Sequence, residues 1–327
     1  MPVPAAVRAV LGTTVSVVAI AIVMTSVDVG RSLAVLGAAQ LQWIAAAAVC
    51  IGTDVIIRGV RWQRLLAPIR RIAFGSVLSY LLIGYLANNV LPARLGELVR
   101  SHYLGDREGL SRTTALGTVV VERVVDTAVI VAIAAFAILV LNVRGVITST
   151  VAVGGAIVAL LVVLLAIAVA AHRLPGATSA AAWISRWPSV GQVATRLRGG
   201  LAVAGRPRTL VEALVLSAAA WAATLLAFAA AGQAVGLELR IGEAALIASG
   251  VALATAIPAG PGYLGTYEIA AVTLAEALGR PAEPAFALAL IVHATILLLT
   301  SIGGLAALAS LRRRVPPEAG PGVATLP

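Results

Sequence analysis

Three groups of polar residues stand inside otherwise apolar sequence, and each has the makings of a site. The first is Asn88-Asn89-Val90-Leu91-Pro92-Ala93-Arg94-Leu95-Gly96-Glu97-Leu98-Val99-Arg100. Asn-Asn followed by Leu-Pro ends one helix, and Pro92 suits the start of another because its missing N–H is not needed there. Free N–H groups at such a start attract anions, and Arg94 in the first turn offers a guanidinium that binds phosphate through two hydrogen bonds. Glu97 lies within reach of Arg94 and Arg100 at i+3 spacing. A plainer outcome for the same residues is a capping turn with a self-satisfied Arg–Glu–Arg cluster.

The second group is Glu122, Arg123 and Asp126, inside the apolar stretch 114–141. Glu122 and Asp126 share a helix face at i, i+4. The set is a clasp between helices or the wall of a hydrated cavity, and both uses require it to point into a bundle. The third group runs Pro258-Ala-Gly-Pro-Gly262-Tyr-Leu-Gly265-Thr-Tyr-Glu268. Its prolines and glycines interrupt a helix, and Glu268 falls near the start of the next, where the helix dipole favours a carboxylate. Asp54 and Arg58, at i, i+4 near the end of an apolar run, read as a structural pair. His293 reads as a packed, hydrogen-bonded histidine rather than a proton carrier, and His102 among charges says little.

Other chemistries are absent from the sequence. Cys50 is the single cysteine, so no intrachain disulfide or thiol-rich metal site can form. No lysine occurs, which excludes a G-x-x-x-x-G-K-[ST] phosphate loop, and neither H-E-x-x-H nor G-x-S-x-G is present. No cofactor or metal is expected.

The elements that must position these residues are membrane helices. Of 327 residues 60% are hydrophobic and 12% charged, against about 25% charged in soluble domains. Mean hydropathy is +1.01. Apolar stretches lie at about 9–27, 41–57, 74–91, 114–141, 147–171, 209–235, 242–257, 263–279 and 284–311. The formal charge of +10 comes with 24 basic residues, all of them Arg. With 4% aromatic residues, no base-stacking surface and no nucleic-acid partner is expected.

The acid-free segments 58–73 and 172–208 and the run Arg312-Arg313-Arg314 hold most of the arginines outside the spans, and the positive-inside rule places all three in the cytoplasm. Nine full crossings would put the first two on opposite sides. They agree if 74–91 folds back with 93–110 as one re-entrant hairpin and 242–257 with 263–279 as another. The expected fold is therefore an all-α polytopic membrane protein with six full spans and two re-entrant helical hairpins. Both termini are then cytoplasmic. Units at about 41–141 and 209–311 repeat the order span, hairpin, span with opposite orientation, the arrangement of inverted-repeat transporters. One integral-membrane domain covers 1–311. Within it 172–208 reads as an amphipathic linker, carrying Trp183, Ile184 and Trp187 among arginines. Residues 312–327 form a short basic, then Pro/Gly-rich tail.

The three motifs, taken in order, resemble the signatures of the lysylphosphatidylglycerol synthase transmembrane region, the flippase-like part of the bacterial multiple peptide resistance factor. The resemblance runs from the first span to about 311. It implies translocation of phospholipid, anionic or aminoacylated, between the leaflets of the inner cell membrane, in a protein able to form homo-oligomers. The chain stops soon after Arg314, so aminoacyl transfer is expected to be absent and the activity is translocation rather than enzymatic. Pro261-Gly262-Tyr263 places Tyr where the pattern leads one to expect a second glycine.

On this reading Asn88, Asn89, Pro92, Arg94, Glu97, Arg100, Glu122, Arg123, Asp126, Pro258, Gly262 and Glu268 form the path of a lipid head group. A secondary transporter of a small polar solute would use the same repeats. An intramembrane lipid-modifying enzyme would use Glu97 and Glu122 as acid and base, and a scaffold would direct its charges into helix contacts without a cavity.

Overall fold

The computed structural model describes residues 5–91, 95–142, 199–255 and 259–313. Pro92, Arg94, Pro258, the stretch 147–171 and most of the 172–208 linker lie outside them. The described elements are all helical, and we number them in chain order. They are α1 (Ala5–Ser26), α2 (Val29–Gly37), α3 (Leu41–Leu66), α4 (Phe74–Val90), α5 (Gly96–Glu108), α6 (Arg112–Leu141), α7 (Pro207–Ala234), α8 (Ile241–Ala254), α9 (Thr266–Ala277) and α10 (Ala282–Arg313).

Four of these, α3, α6, α7 and α10, are long and apolar enough to cross a membrane. A fifth crossing arises if the bent pair of Thr13–Ser26 and Val29–Gly37, at 84°, counts as one. The bend sits at Asp28, whose carboxylate accepts the Arg31 N–H at 3.0 Å and so starts a new helix. α4 and α8, with 17 and 14 residues, reach only about 25 and 21 Å at 1.5 Å per residue, short of a ~30 Å hydrocarbon core. Exposed Phe136, Leu139 and Val140 on α6, and Leu298, Ile302 and Leu305 on α10, form apolar outer faces suited to lipid.

Local sequence explains the helix ends. α3 continues through the arginine-rich segment that had been expected to be a loop from residue 58. Gln, Arg, Trp and Leu all tolerate a helix, and the first strong breaker is Pro68. α4 stops before Leu91-Pro92, and α7 opens with Pro207 in its first turn. Glu243 starts α8 by accepting the Arg240 N–H at 2.8 Å. Glu268 does the same for α9 with the Gly265 N–H at 2.7 Å.

The packing is interleaved. α3 lies along α7 in the most extensive helix contact, α4 packs on α10, and α8 packs on α6. α4 pairs with α5 and α8 with α9, while α5 leans on α6 and α9 on α10. Two glycines permit this closeness. A Cβ on Gly96 would stand 2.0 Å from the Gly84 carbonyl oxygen of α4, and one on Gly265 would stand 2.8 Å from Ser16 O of α1. The larger apolar core joins α3, α7, α8, α9 and α10, and a second joins α3, α4, α5 and α6 with the end of α10.

Candidate functional site

Asp54, Arg58 and Arg61 occupy one face of α3 at i, i+4 and i+7, and they meet the inward acids of α6. Arg58 donates through Nε to Asp54 at 2.8 Å and through Nη1 to Asp126 at 3.0 Å. Arg61 donates to Asp126 through both terminal nitrogens, Nη2 at 3.1 Å, and to Ser217 Oγ of α7 at 2.6 Å. Its Nη2 also lies 3.2 Å from Glu122 Oε1. From α5, Arg100 engages Glu122 bidentately at 3.2 and 3.1 Å. Arg123 Nη2 donates to Glu122 at 3.0 Å, and its Nε stands 4.0 Å from Glu97 Oε1.

Four guanidinium groups (Arg58, Arg61, Arg100, Arg123) thus face four carboxylates (Asp54, Glu97, Glu122, Asp126), and the cluster is formally neutral. Burial makes that balance necessary. Arg61 is 0% and Glu122 1% exposed, and an unpaired charge in such surroundings costs several kcal/mol. Indole rings frame the cluster: Arg100 lies over Trp62 at 4.7 Å and Arg58 over Trp221 at 5.0 Å, while Trp221 Nε1 donates to Asp126 at 3.2 Å.

Beside the cluster is a cavity of about 240 Å³ to which α3 through α10 all contribute. Asp54, Arg58, Glu97 and Arg123 line one part, and Trp221, Tyr263, Tyr267 and His293 line another. Arg61 Nε, Glu97 Oε2 and Arg123 Nε are buried with no hydrogen-bond partner among the described residues. Glu97 and Arg123 thus line the cavity, and each holds one buried polar atom without a hydrogen-bond partner among the described residues.

The first motif divides between building and lining. Asn88 Oδ1 accepts the Gly96 N–H at 2.7 Å, which caps α5. Asn89 Nδ2 donates to Thr300 and Ser301 of α10, both at 2.9 Å. Both asparagines also line the cavity. Glu97 does not pair with Arg100 on its own helix, because Arg100 reaches across to Glu122 with better, two-pronged geometry.

In the third motif, Gly262 (φ 64°) and Tyr263 (φ 58°) take left-handed backbone, so the tyrosine where a glycine was expected sits in a conformation glycine favours. The Gly262 carbonyl accepts from His293 Nε2 at 2.7 Å, and Glu268 Oε1 lies 2.6 Å from His293 Nδ1. His293 is thus packed and hydrogen-bonded. Glu268 does not join the arginine cluster, and it lines a separate apolar pocket beside α1.

The structure therefore unites Glu97, Arg100, Glu122, Arg123 and Asp126 and sets Glu268 apart from them. Sequence reasoning missed Arg61, which it counted as a cytoplasmic loop residue, and undervalued Asp54 and Arg58. The i, i+4, i+7 spacing was the available signal. No group of three or more His, Cys, Asp or Glu able to hold a metal occurs among the described residues.

Two relatives and a family profile place the chain. Glycosyltransferase AglD of Haloferax volcanii is 27% identical over 342 residues, covering 92% of this chain and 54% of that protein. The UPF0104 membrane protein MJ1595 of Methanocaldococcus jannaschii is 35% identical over 77 residues, 23% of each chain. The chain thus spans about half the length of the first relative and matches under a quarter of the second. The profile of the lysylphosphatidylglycerol synthase TM region matches residues 9–304. With apolar helices long enough to cross a membrane and a family match over residues 9–304, this multi-pass membrane chain belongs to the lysylphosphatidylglycerol synthase transmembrane-region family.

Proposed function

We propose that the protein moves a polar lipid head group between leaflets through the cavity enclosed by α3–α10, with the acyl chains remaining in the bilayer. The observation that carries this reading is the placement of Glu97 and Arg123, a carboxylate and a guanidinium 4.0 Å apart, side by side on the cavity wall. A phosphate is met by the guanidinium and a head-group amine by the carboxylate. Pro92 and Arg94, which lie outside the described residues, are assigned to the phosphate side in this proposal on the sequence motif alone. Pro258, also outside the described residues, is kept in the head-group path on the same ground.

We take α3–α6 and α7–α10 as repeats of opposite orientation. Support comes from the contact pattern, which is preserved when the units are exchanged: α4 on α10 answers α8 on α6, and α5 on α6 answers α9 on α10. Six full spans follow if 147–171 crosses, with both termini in the cytoplasm and the protein in the inner membrane of the cell. Burial of Arg58 and Arg61 removes them from the positive-inside count. Exposed Arg64, Arg70, Arg71, Arg206, Arg208, Arg312 and Arg313 continue to support that orientation.

The test is movement of fluorescent phosphatidylethanolamine in proteoliposomes. Glu97→Gln and Arg123→Gln each slow it severalfold, whereas Glu212→Gln, in an exposed surface pair, leaves it unchanged. Undiminished movement in both cavity variants refutes the reading. A second reading, participation in glycosyl transfer, is favoured by the similarity to AglD across 92% of this chain. Incorporation of sugar into lipid by the purified protein would establish it.

A further inference from the structure

His293 and Glu268 hold a proton whose presence follows from counting donors and acceptors. His293 Nε2 faces the Gly262 carbonyl at 2.7 Å, and a carbonyl can only accept, so Nε2 carries hydrogen. Nδ1 faces Glu268 Oε1 at 2.6 Å. A lone pair against a carboxylate at that distance is repulsive, so one further proton lies between the two groups. Glu268 Oε2 is already occupied by the Gly265 N–H. With the shared proton the pair is neutral. Without it a net charge of −1 remains on residues that are 3% and 5% exposed.

His293 lines the central cavity, whereas Glu268 lines an apolar pocket of about 180 Å³ with Ile20, Val23 and Met24 of α1 and Phe286 of α10. Among the described residues the surrounding elements offer no charge paired with His293 or Glu268 that could take the proton's place. Tyr267 of α9 stacks on the imidazole at 4.2 Å. On α3, Asp54 and Arg58 are tied to each other, and the titratable group that α4 brings to the cavity is the Tyr85 hydroxyl. Glu97 and Arg123, from α5 and α6, belong to the arginine cluster. Glu243 of α8 is held by Arg240 and Arg280, and Asp28 and Arg31 beside α2 are exposed and paired. Arg208 and Glu212 pair at the start of α7, and Glu283, Arg312 and Arg313 stand at the ends of α10.

We infer that the Glu268–His293 pair is a proton-exchange site on the wall of the central cavity, and that passage of an amine-bearing head group through the cavity is linked to release and recapture of its proton. The inference rests on the translocation reading above. On release, the proton leaves Nδ1 for water in the cavity; the imidazole keeps its Nε2–H, Glu268 stays a carboxylate, and no other bond changes. The resulting negative charge favours an ammonium group nearby, and reprotonation of Nδ1 removes that attraction.

The experiment uses the full chain in phosphatidylethanolamine/phosphatidylglycerol vesicles. With His102 and His172 changed to Asn, ¹⁵N NMR of histidine-labelled protein reports His293 alone. The expected result is protonation at both ring nitrogens or a strongly hydrogen-bonded Nδ1, lost in Glu268→Gln. In the same vesicles a transmembrane pH difference changes the rate of fluorescent phosphatidylethanolamine movement severalfold, and the dependence vanishes in Glu268→Gln and His293→Gln. An Nδ1 with no bonded or shared proton overturns the inference, as does wild-type movement indifferent to the pH difference. If the wild type moves no lipid, the translocation reading fails by itself, and the proton site is decided by the nitrogen resonances.

Discussion

Arg61 of α3 and Asp126 of α6, 65 positions apart in the chain, form a two-pronged ion pair whose side chains are 0% and 4% exposed. Loss of either unbalances the charge of the buried cluster, since Arg58 shares the Asp126 carboxylate and Arg61 also reaches Glu122. The cluster is best understood as a balanced set that fixes α3, α5, α6 and α7 around the cavity wall.

Asp126→Leu removes one of the four carboxylates, leaves the buried cluster with a net charge of +1 and lowers stability by about 3–5 kcal/mol. Arg61→Met combined with Asp126→Leu is less damaging than Asp126→Leu alone, because no lone buried charge remains at that pair. Thermal unfolding in detergent, followed through tryptophan fluorescence, measures both; a double variant no better than the single one contradicts the account.

Glu97→Gln keeps the size of the side chain and removes its charge. The expected outcome is slower movement of fluorescent phosphatidylethanolamine with little change for phosphatidylglycerol, which has no amine. Arg123→Gln slows both. Equal losses for the two lipids in Glu97→Gln would remove the amine from its proposed partner.

Gly96→Ala drives a methyl group into the Gly84 carbonyl, 2.0 Å from the ideal Cβ position, and disturbs Asn88, which caps the same helix. The melting temperature falls sharply. Asn88→Ala, which removes only the cap, costs about 1 kcal/mol.

Tyr263→Gly relieves a left-handed residue at φ 58°, a conformation that costs an L side chain roughly 1–2 kcal/mol. Stability stays level or rises in thermal unfolding, since the glycine's greater unfolded-state entropy offsets part of the gain. A large loss would show that ring contacts outweigh the strain.

Helices were legible because periodicity and breakers are local. Pro92 and the run from Pro258 to Gly265 announced their breaks, and Asp126 and Glu122 announced themselves by sitting in an apolar stretch where charge is costly. The end of α3 was misjudged because a dense set of arginines reads as solvent-facing, and only the i, i+4, i+7 spacing with Asp54 and Arg58 sets Arg61 apart from Arg64. The structure does so plainly: Arg61 is fully buried, whereas Arg64, within the next helical turn, is exposed.

The sequence by itself determined that this is a helical membrane chain, where several of its helices stop, and which motifs join it to its family. Those properties follow from hydropathy, backbone stereochemistry and short-range spacing. Only the tertiary structure decided who neutralises whom. Arg100 takes Glu122 rather than Glu97, Arg61 takes Asp126, and Glu268 turns from the arginines to His293. The reason is physical: a charge in an apolar chain requires a partner, but helix packing chooses among partners that are far away along the chain and within hydrogen-bonding distance in space.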